Sequence, residues 1–236
     1  MLVSIIIPTL NERDALGFLF GELQEALTRI PEYEFEIIIV DDGSIDGTRE
    51  FVSGFKNFPW TLRLMERKKR GLATAVLEGF KNSSGEILGV MDADLSHPPA
   101  LIPKLLDALK NADVAIGSRH IYGGGVEEWP LVRRMFSEFA TLLARPISGG
   151  MRDPLSGFFF IKKSALKVAD LKPFGYKILL EILVRAAPLK AVEIPYIFRN
   201  RSVGKSKLNW RVSIDYFLHL VRLYSFTARQ LCRKKE

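Results

Sequence analysis

Short apolar runs alternating with stretches of helical periodicity limit the folds open to this chain more than any other feature. The runs cover residues 2–7, 35–40, 61–65, 87–91 and 114–116. Several are continuously apolar rather than alternating, as strands covered on both faces are. Between them, residues 12–29, 47–55, 72–82 and 99–110 carry apolar side chains at roughly helical spacing. The last of these opens on Pro98-Pro99, which a helix start tolerates. Strand, helix and strand in succession predict an α/β domain with a mostly parallel central sheet, right-handed crossovers and flanking helices. A chain of 236 residues needs only one sizeable core, and 47% hydrophobic with 26% charged residues excludes a disordered chain or a coiled coil.

After about residue 120 the rhythm changes. Tyr122-Gly123-Gly124-Gly125 reads as a flexible loop, residues 128–144 as a helix, and residues 156–161 and 191–196 as further strands. Residues 210–231 form a second long helical pattern, with Phe217, Leu220, Val221 and Tyr224 on one face and Ile214, Leu218 and Leu223 widening it. The net charge of +7 is concentrated here: ten Lys/Arg against Asp215 and Glu236 give +8 from Arg199 onward and −1 before it. Such a segment suits phosphates or an anionic membrane surface. It suits equally a helix packed on the protein's own core, and both readings stand. No stretch approaches the ~20 apolar residues that span a bilayer. The organisation expected is therefore a catalytic unit over residues 1–208 and a basic amphipathic helix over 209–236. The lone Cys232 and the absence of a signal-peptide pattern point to a reducing, cytoplasmic setting, with the chain peripheral on the cytoplasmic face of a membrane.

In an open parallel sheet, ligands bind beyond the carboxyl ends of the strands. Three such ends are polar: Pro8-Thr9-Leu10-Asn11-Glu12, Asp41-Asp42-Gly43-Ser44 and Asp92-Ala93-Asp94-Leu95-Ser96-His97. Asp92 and Asp94, two apart on a turn, can both reach a hard divalent cation such as Mg²⁺ or Mn²⁺, itself bound by phosphate oxygens. A breaking sugar–diphosphate bond needs that charge stabilisation. Alone the pair is a weak signal, because acidic residues also tie turns; after a buried strand, with Asp41-Asp42 after another, it is much stronger. Asp41 and Asp42 would accept bonds from a ribose or base, whereas Asp46 reads as a helix cap. Arg119 follows a strand, Arg133 and Ser137 share a helix face, and Arg201 lies in a basic loop, so guanidinium forks could gather on a phosphate. A phosphate acceptor is already ionised and needs no strong general base.

At these residues the chain resembles glycosyltransferase family 2, the GT-A fold, and within it the branch that makes dolichol-phosphate or polyprenol-phosphate mannose. Besides the three polar strand ends, Gly117-Ser118-Arg119, Asp153-Pro154-Leu155-Ser156-Gly157-Phe158, Gly175-Tyr176-Lys177-Ile178-Leu179-Leu180-Glu181 and the stretch from Arg201 to Leu208 are similar to that branch. The resemblance covers nearly the whole length. It implies inverting transfer of mannose from GDP-mannose to dolichyl or polyprenyl phosphate, with Mg²⁺ or Mn²⁺ bridging the diphosphate. It implies a nucleotide-sugar site at Pro8, Thr9, Asn11, Glu12, Asp41 and Asp42, continued by Gly71, Asp92 and Ala93. Metal would lie on Asp92 and Asp94, with Arg119 completing the catalytic set, and Arg119, Arg133, Ser137, Arg201 and Lys207 would hold the acceptor phosphate. Some members carry Gln where this chain has Ser96, which leaves a water in place of a third protein ligand. Ala73 stands where Gly is frequent. The Gln-x-x-Arg-Trp motif of processive synthases is absent, consistent with one sugar per encounter. Some relatives carry membrane helices, so this chain would attach through its C-terminal segment or a small membrane subunit. A UDP-glucose-dependent polyprenyl-phosphate glucosyltransferase and a catalytically silent nucleotide-sugar scaffold are the competing readings. Nucleic-acid binding lacks any recognisable module.

Overall fold

The computed structural model describes residues 1–68, 70–166, 168–172, 174–200 and 210–233. The first half alternates strand and helix as expected: β1 Leu2–Thr9, α1 Arg13–Leu27, β2 Glu34–Asp41, α2 Thr48–Gly54, β3 Thr61–Glu66, α3 Leu72–Lys81, β4 Ile87–Val90, α4 Ile102–Ala108 and β5 Val114–Ser118. A 3₁₀ turn, Pro99–Leu101, precedes α4. The second half contains β6 Gly125–Val126, α5 Leu131–Ala144, β7 Phe159–Lys162, α6 Ile178–Arg185, β8 Ala191–Pro195, β9 Ile197–Phe198 and α7 Trp210–Arg233.

Seven strands form one sheet in the order β3-β2-β1-β4-β7-β5-β8, and β6 pairs with β9 beside it. Every neighbour in the large sheet runs parallel except β7, which is antiparallel to both β4 and β5. Phe159, the first residue of β7, faces Val90 on one side and Ile116 on the other. The loop leading into β7 therefore arrives at the edge where β4 and β5 end.

Both faces of the sheet are covered, which explains the continuous apolar runs. One layer joins Ile5, Ile7, Ile37 and Ile39 to Leu16, Leu19, Phe20 and Leu23 of α1; the other joins Ile6, Ile38 and Val40 to Val76 and Phe80 of α3 and Leu179 and Ile182 of α6. Each such side chain contributes about 1.5–3 kcal/mol through burial. Close packing reaches the backbone at Gly89, where a Cβ would stand 2.3 Å from the Phe160 ring.

Several elements differ from the expectation. The helix expected from residue 128 begins at Leu131, because Pro130 disfavours helical backbone at Trp129 and Glu128 has φ +43°. The strand expected from residue 156 begins at Phe159, since the Ser156 hydroxyl closes a turn onto Gly117 O at 2.7 Å. The glycine run is packed rather than flexible: a Cβ on Gly124 would lie 2.6 Å from Ser118 O, and Gly125 belongs to β6. Helix α6 is not among the expected elements: its eight residues ILLEILVR carry only two polar side chains, Glu181 and Arg185, which pair with each other.

Helix α7 has two apolar faces. Tyr216, Leu220 and Leu223 are buried against Ala144, Ile147, Leu180 and Val184. Tyr216 Oη donates to Ala140 O at 2.5 Å, and His219 Nε2 lies 2.8 Å from the buried Glu181 carboxylate. Ile214, Phe217, Leu218 and Val221 face outward, as do Leu131, Val132, Met135, Phe136, Phe139 and Leu142 of α5. Among the described residues, no helix is long and apolar enough to cross a membrane.

The packing at Gly89 gives a first prediction. Gly89→Ala is expected to cost about 1–3 kcal/mol and lower the melting temperature by about 5 °C. Gly21→Ala, on α1 with no atom near its Cβ, should leave it unchanged or raise it slightly; calorimetric melting of both variants checks this.

Candidate functional site

The loops after β1 and β2 are joined by side chains. Asn11, at φ +56°, donates its N–H to Ser44 Oγ at 2.8 Å and accepts the Ile45 N–H at 2.9 Å, while the Glu12 N–H donates to Thr48 Oγ1 at 3.2 Å. Asp46 accepts the Thr48 N–H at the start of α2, in keeping with the capping role read from the sequence, and also the Arg13 N–H at the start of α1.

Asp41 is fully buried and turned into its own loop, where it accepts from Gly43 N at 3.1 Å, Ser44 N at 2.9 Å and the Ser44 hydroxyl. Asp42 accepts from Gly71 N and from Arg67 Nη1, each at 2.7 Å, tying the ends of β2, β3 and α3 together. Burial pushes its carboxyl up, and the bonds from Gly71 and Arg67 only partly oppose this. Both acids therefore shape the rim on which Pro8, Thr9 and Gly71 lie.

Beyond β4, Asp92 and Asp94 differ in environment. The Asp92 side chain is 30% exposed, whereas Asp94 is buried. Asp94 Oδ1 accepts Ser96 N at 3.1 Å and Ser96 Oγ at 2.5 Å, so Ser96 steadies Asp94. His97 Nδ1 accepts the Asp92 N–H at 2.9 Å, and the ring stacks on Phe158. Burial pulls the imidazole down to about 3, so it is neutral and accepts at Nδ1. Gly157 passes so close that a Cβ would stand 3.1 Å from His97 Cε1 and 3.5 Å from Asp92 Oδ2.

Asp92 and Asp94 fit a small hard cation. Among the described residues, no group of three or more Asp, Glu, His or Cys could hold a metal on its own. A pair of carboxylates suits an ion that takes its remaining ligands from water and substrate phosphates, as Mg²⁺ and Mn²⁺ sites do.

Across the edge, at the end of β5, Arg119 is locked onto Asp153. Nε and Nη2 donate to the two carboxylate oxygens at 2.8 Å each, and the Arg119 N–H adds a third bond at 2.9 Å. Burial would raise the Asp153 carboxyl, but the Arg119 charge and its bonds outweigh that and hold it below the usual carboxylate range. The Asp153 N–H in turn donates to Glu193 Oε1 at 2.8 Å. Lys177 Nζ donates to Leu155 O at 3.0 Å, and burial, reinforced by Arg119, pulls it down to about 8.

Arg119, His120, Gly124, Trp129, Arg134 and Ser137 line a pocket of about 180 Å³. It thus gathers Arg119 and Ser137 from the sequence-derived set. Arg133 stacks over the Trp129 ring with Cζ 4.0 Å from its centroid, and Arg134 pairs with Glu138 at 3.0 Å. Arg201 and Lys207 lie outside the described residues. Sequence reasoning gave no role to Asp153, Lys177, His120 or Trp129; the quoted motifs around residues 153 and 177 were the only signal for the first two.

An open, mostly parallel sheet with acids and cations collected beyond the carboxyl ends of its strands defines an α/β protein that takes its ligand at that edge. The model of the glycosyl transferase family 2 matches residues 4–169, and the chain belongs to that family. It is 43% identical over 228 residues to a dolichol-phosphate mannosyltransferase of Pyrococcus furiosus, covering 94% of this chain and 64% of that protein. A dolichol-phosphate mannosyltransferase of Mycosarcoma maydis is 40% identical over 235 residues, covering 94% of this chain and 79% of that protein. Among solved structures, glucosyl-3-phosphoglycerate synthase from Mycobacterium tuberculosis, in complex with Mn²⁺, UDP and glucosyl-3-phosphoglycerate, superposes with a TM-score of 0.66 at 19% identity, over 94% of this chain and 79% of that one. That likeness establishes the GT-A fold.

Removing the Asp153 charge leaves Arg119 buried without its counter-ion, so Asp153→Asn should destabilise the protein by about 3–5 kcal/mol. With its folded pKa depressed, the Asp153 contribution is complete above the unfolded carboxylate value and is lost as pH falls toward the folded one. Melting curves from pH 7 to 3 should therefore show a steeper acid loss in wild type than in Asp153→Asn.

Proposed function

We propose that this protein transfers mannose from GDP-mannose to dolichyl or polyprenyl phosphate with inversion. One observation carries the reading: a pocket containing Arg119 and Ser137 opens beneath α5, whose other side chains form an exposed apolar face. A phosphate head would take the pocket and a polyprenyl chain the apolar side. The similarity to the two mannosyltransferases supports the same reaction.

In this reading an acceptor phosphate oxygen attacks the anomeric carbon, the bond from that carbon to the β-phosphate oxygen breaks, and the nucleoside diphosphate departs. The rim formed by Pro8, Thr9, Asn11, Glu12, Gly71 and Ala93, braced from within by Asp41 and Asp42, holds the nucleotide sugar. Asp92 and Asp94 would hold Mg²⁺ or Mn²⁺, which when bound supplies Lewis-acid stabilisation to the departing diphosphate. Arg119, fixed by Asp153, meets the acceptor phosphate with Arg133, Ser137, Arg201 and Lys207. The acceptor arrives ionised, so the protein's task is alignment and charge neutralisation.

Residues 1–208 would form the catalytic unit. The segment 209–236 and α5 would rest on the cytoplasmic face of an anionic membrane, each Lys or Arg near that surface adding ~1 kcal/mol. Phe136→Ser with Phe217→Ser, both on outward faces, should sharply reduce co-sedimentation with anionic vesicles while leaving melting nearly unchanged. Undiminished sedimentation would move attachment elsewhere, to a membrane subunit for example.

Asp92→Asn removes a metal-ligand charge from a partly exposed side chain and should abolish transfer to farnesyl phosphate with the fold intact. Radiolabelled GDP-mannose and UDP-glucose, supplied in parallel, test the donor. Equal use of both would overturn the assignment of GDP-mannose, and wild-type turnover by the variant would overturn the role of Asp92.

A further inference from the structure

Two residues that line the pocket below α5, Trp129 and His120, each carry a covered polar atom with no hydrogen-bond partner, Nε1 and Nε2 respectively. An indole N–H can only donate, and a buried donor left without an acceptor costs about 1–3 kcal/mol. Buried polar atoms are nearly always paired, so two orphans in one small cavity mark a place where an acceptor binds.

The Trp129 ring and the His120 backbone are held in position by other contacts. Trp129 is covered on one face by the Arg133 guanidinium and meets the Phe198 ring at 5.3 Å and 77°. The His120 backbone N–H donates to Ser118 Oγ at 3.4 Å, next to the Arg119–Asp153 pair. Burial of His120, with Arg119 and Arg145 adding and Asp153 opposing, lowers its pKa; the neutral ring carries one N–H, available at Nε2 in one tautomer. Among the described residues, Glu138 is the one carboxylate lining the pocket, and it is already answered by Arg134. The remaining lining is rich in donors and suits an anion.

We infer that Trp129 Nε1–H and His120 Nε2–H donate to the oxygens of a phosphate monoester seated beside Arg119 and Ser137. This deepens the acceptor reading above and rests on it. The indole and imidazole supply directed hydrogen bonds. Arg119, already committed to Asp153, supplies field more than free N–H groups, which explains why further donors are needed here.

Calorimetric titration of the intact chain with farnesyl phosphate, inorganic phosphate and GDP tests the inference. Trp129→Phe keeps an aromatic ring beneath Arg133 and removes the N–H together with the five-membered part of the indole; it should weaken farnesyl phosphate about tenfold and leave GDP unchanged. His120→Leu should do the same, and His120→Gln, whose amide nitrogen reaches near the Nε2 position, should restore binding to within about twofold. Competition by inorganic phosphate, lost in the same variants, would support a site for the phosphate group itself; no competition would support one that requires the ester. Wild-type affinity for farnesyl phosphate in both Trp129→Phe and His120→Leu would overturn the inference while leaving the acceptor reading intact. Parallel weakening of GDP would assign both residues to packing and overturn it as well. A wild-type protein that binds GDP but no farnesyl phosphate would overturn the acceptor reading, and the inference with it.

Discussion

The buried ion pair between Asp153 and Arg119 organises the acceptor side of the molecule. Asp153 has no solvent exposure, and the Arg119 side chain is 8% exposed. Such a pair is tolerated only where hydrogen bonds satisfy both partners, and three from Arg119 with one from Asp153 to Glu193 do so. The pair exists because β7 runs backward. Its direction carries residues 153–158 to the end of the sheet where β4 and β5 finish, and Ser156 anchors the loop to Gly117 O. The same loop passes Asp92 at Gly157, so one segment sets both the acidic and the basic sides of the site.

That arrangement separates support from contact. Ser96 and His97 steady the two acids after β4, and Asp41 and Asp42 brace the neighbouring loops from within. Asp92 remains partly open, on the side from which a nucleotide would approach. A site prepared in this way needs little rearrangement as charge moves during reaction, which is where electrostatic catalysis gains most.

The strands of the first half were legible because a parallel sheet covered on both faces requires uninterrupted apolar residues, and 2–7 and 35–40 supply them. The candidate edge was legible because polar residues gather directly after three apolar strands, where an open sheet binds its ligands. What those acids touch was not legible: Asp41 after β2 looks the same in sequence whether it points to a ligand or into its own turn. The direction of β7 depends on a loop whose anchor, Asp153 to Arg119, spans 34 residues. The run ILLEILVR in α6 is only eight residues long, and the single polar pair Glu181 and Arg185 is too short a pattern to reveal its period. The pattern of α7 showed an apolar arc but not that Leu220 and Leu223 would turn inward while Phe217 and Val221 remained outside.

In the proposed reading, helices α5 and α7 would extend the site toward a lipid surface, and the acids after β4 would direct it toward a nucleotide. The second of these is the more fundamental, since without a divalent ion the pair Asp92 and Asp94 would repel a diphosphate. Calorimetric titration of the wild-type protein with GDP, in Mn²⁺ and again in excess chelator, measures it directly. A metal-bridged site predicts affinity at least tenfold higher with Mn²⁺; equal affinity in the two conditions would contradict it.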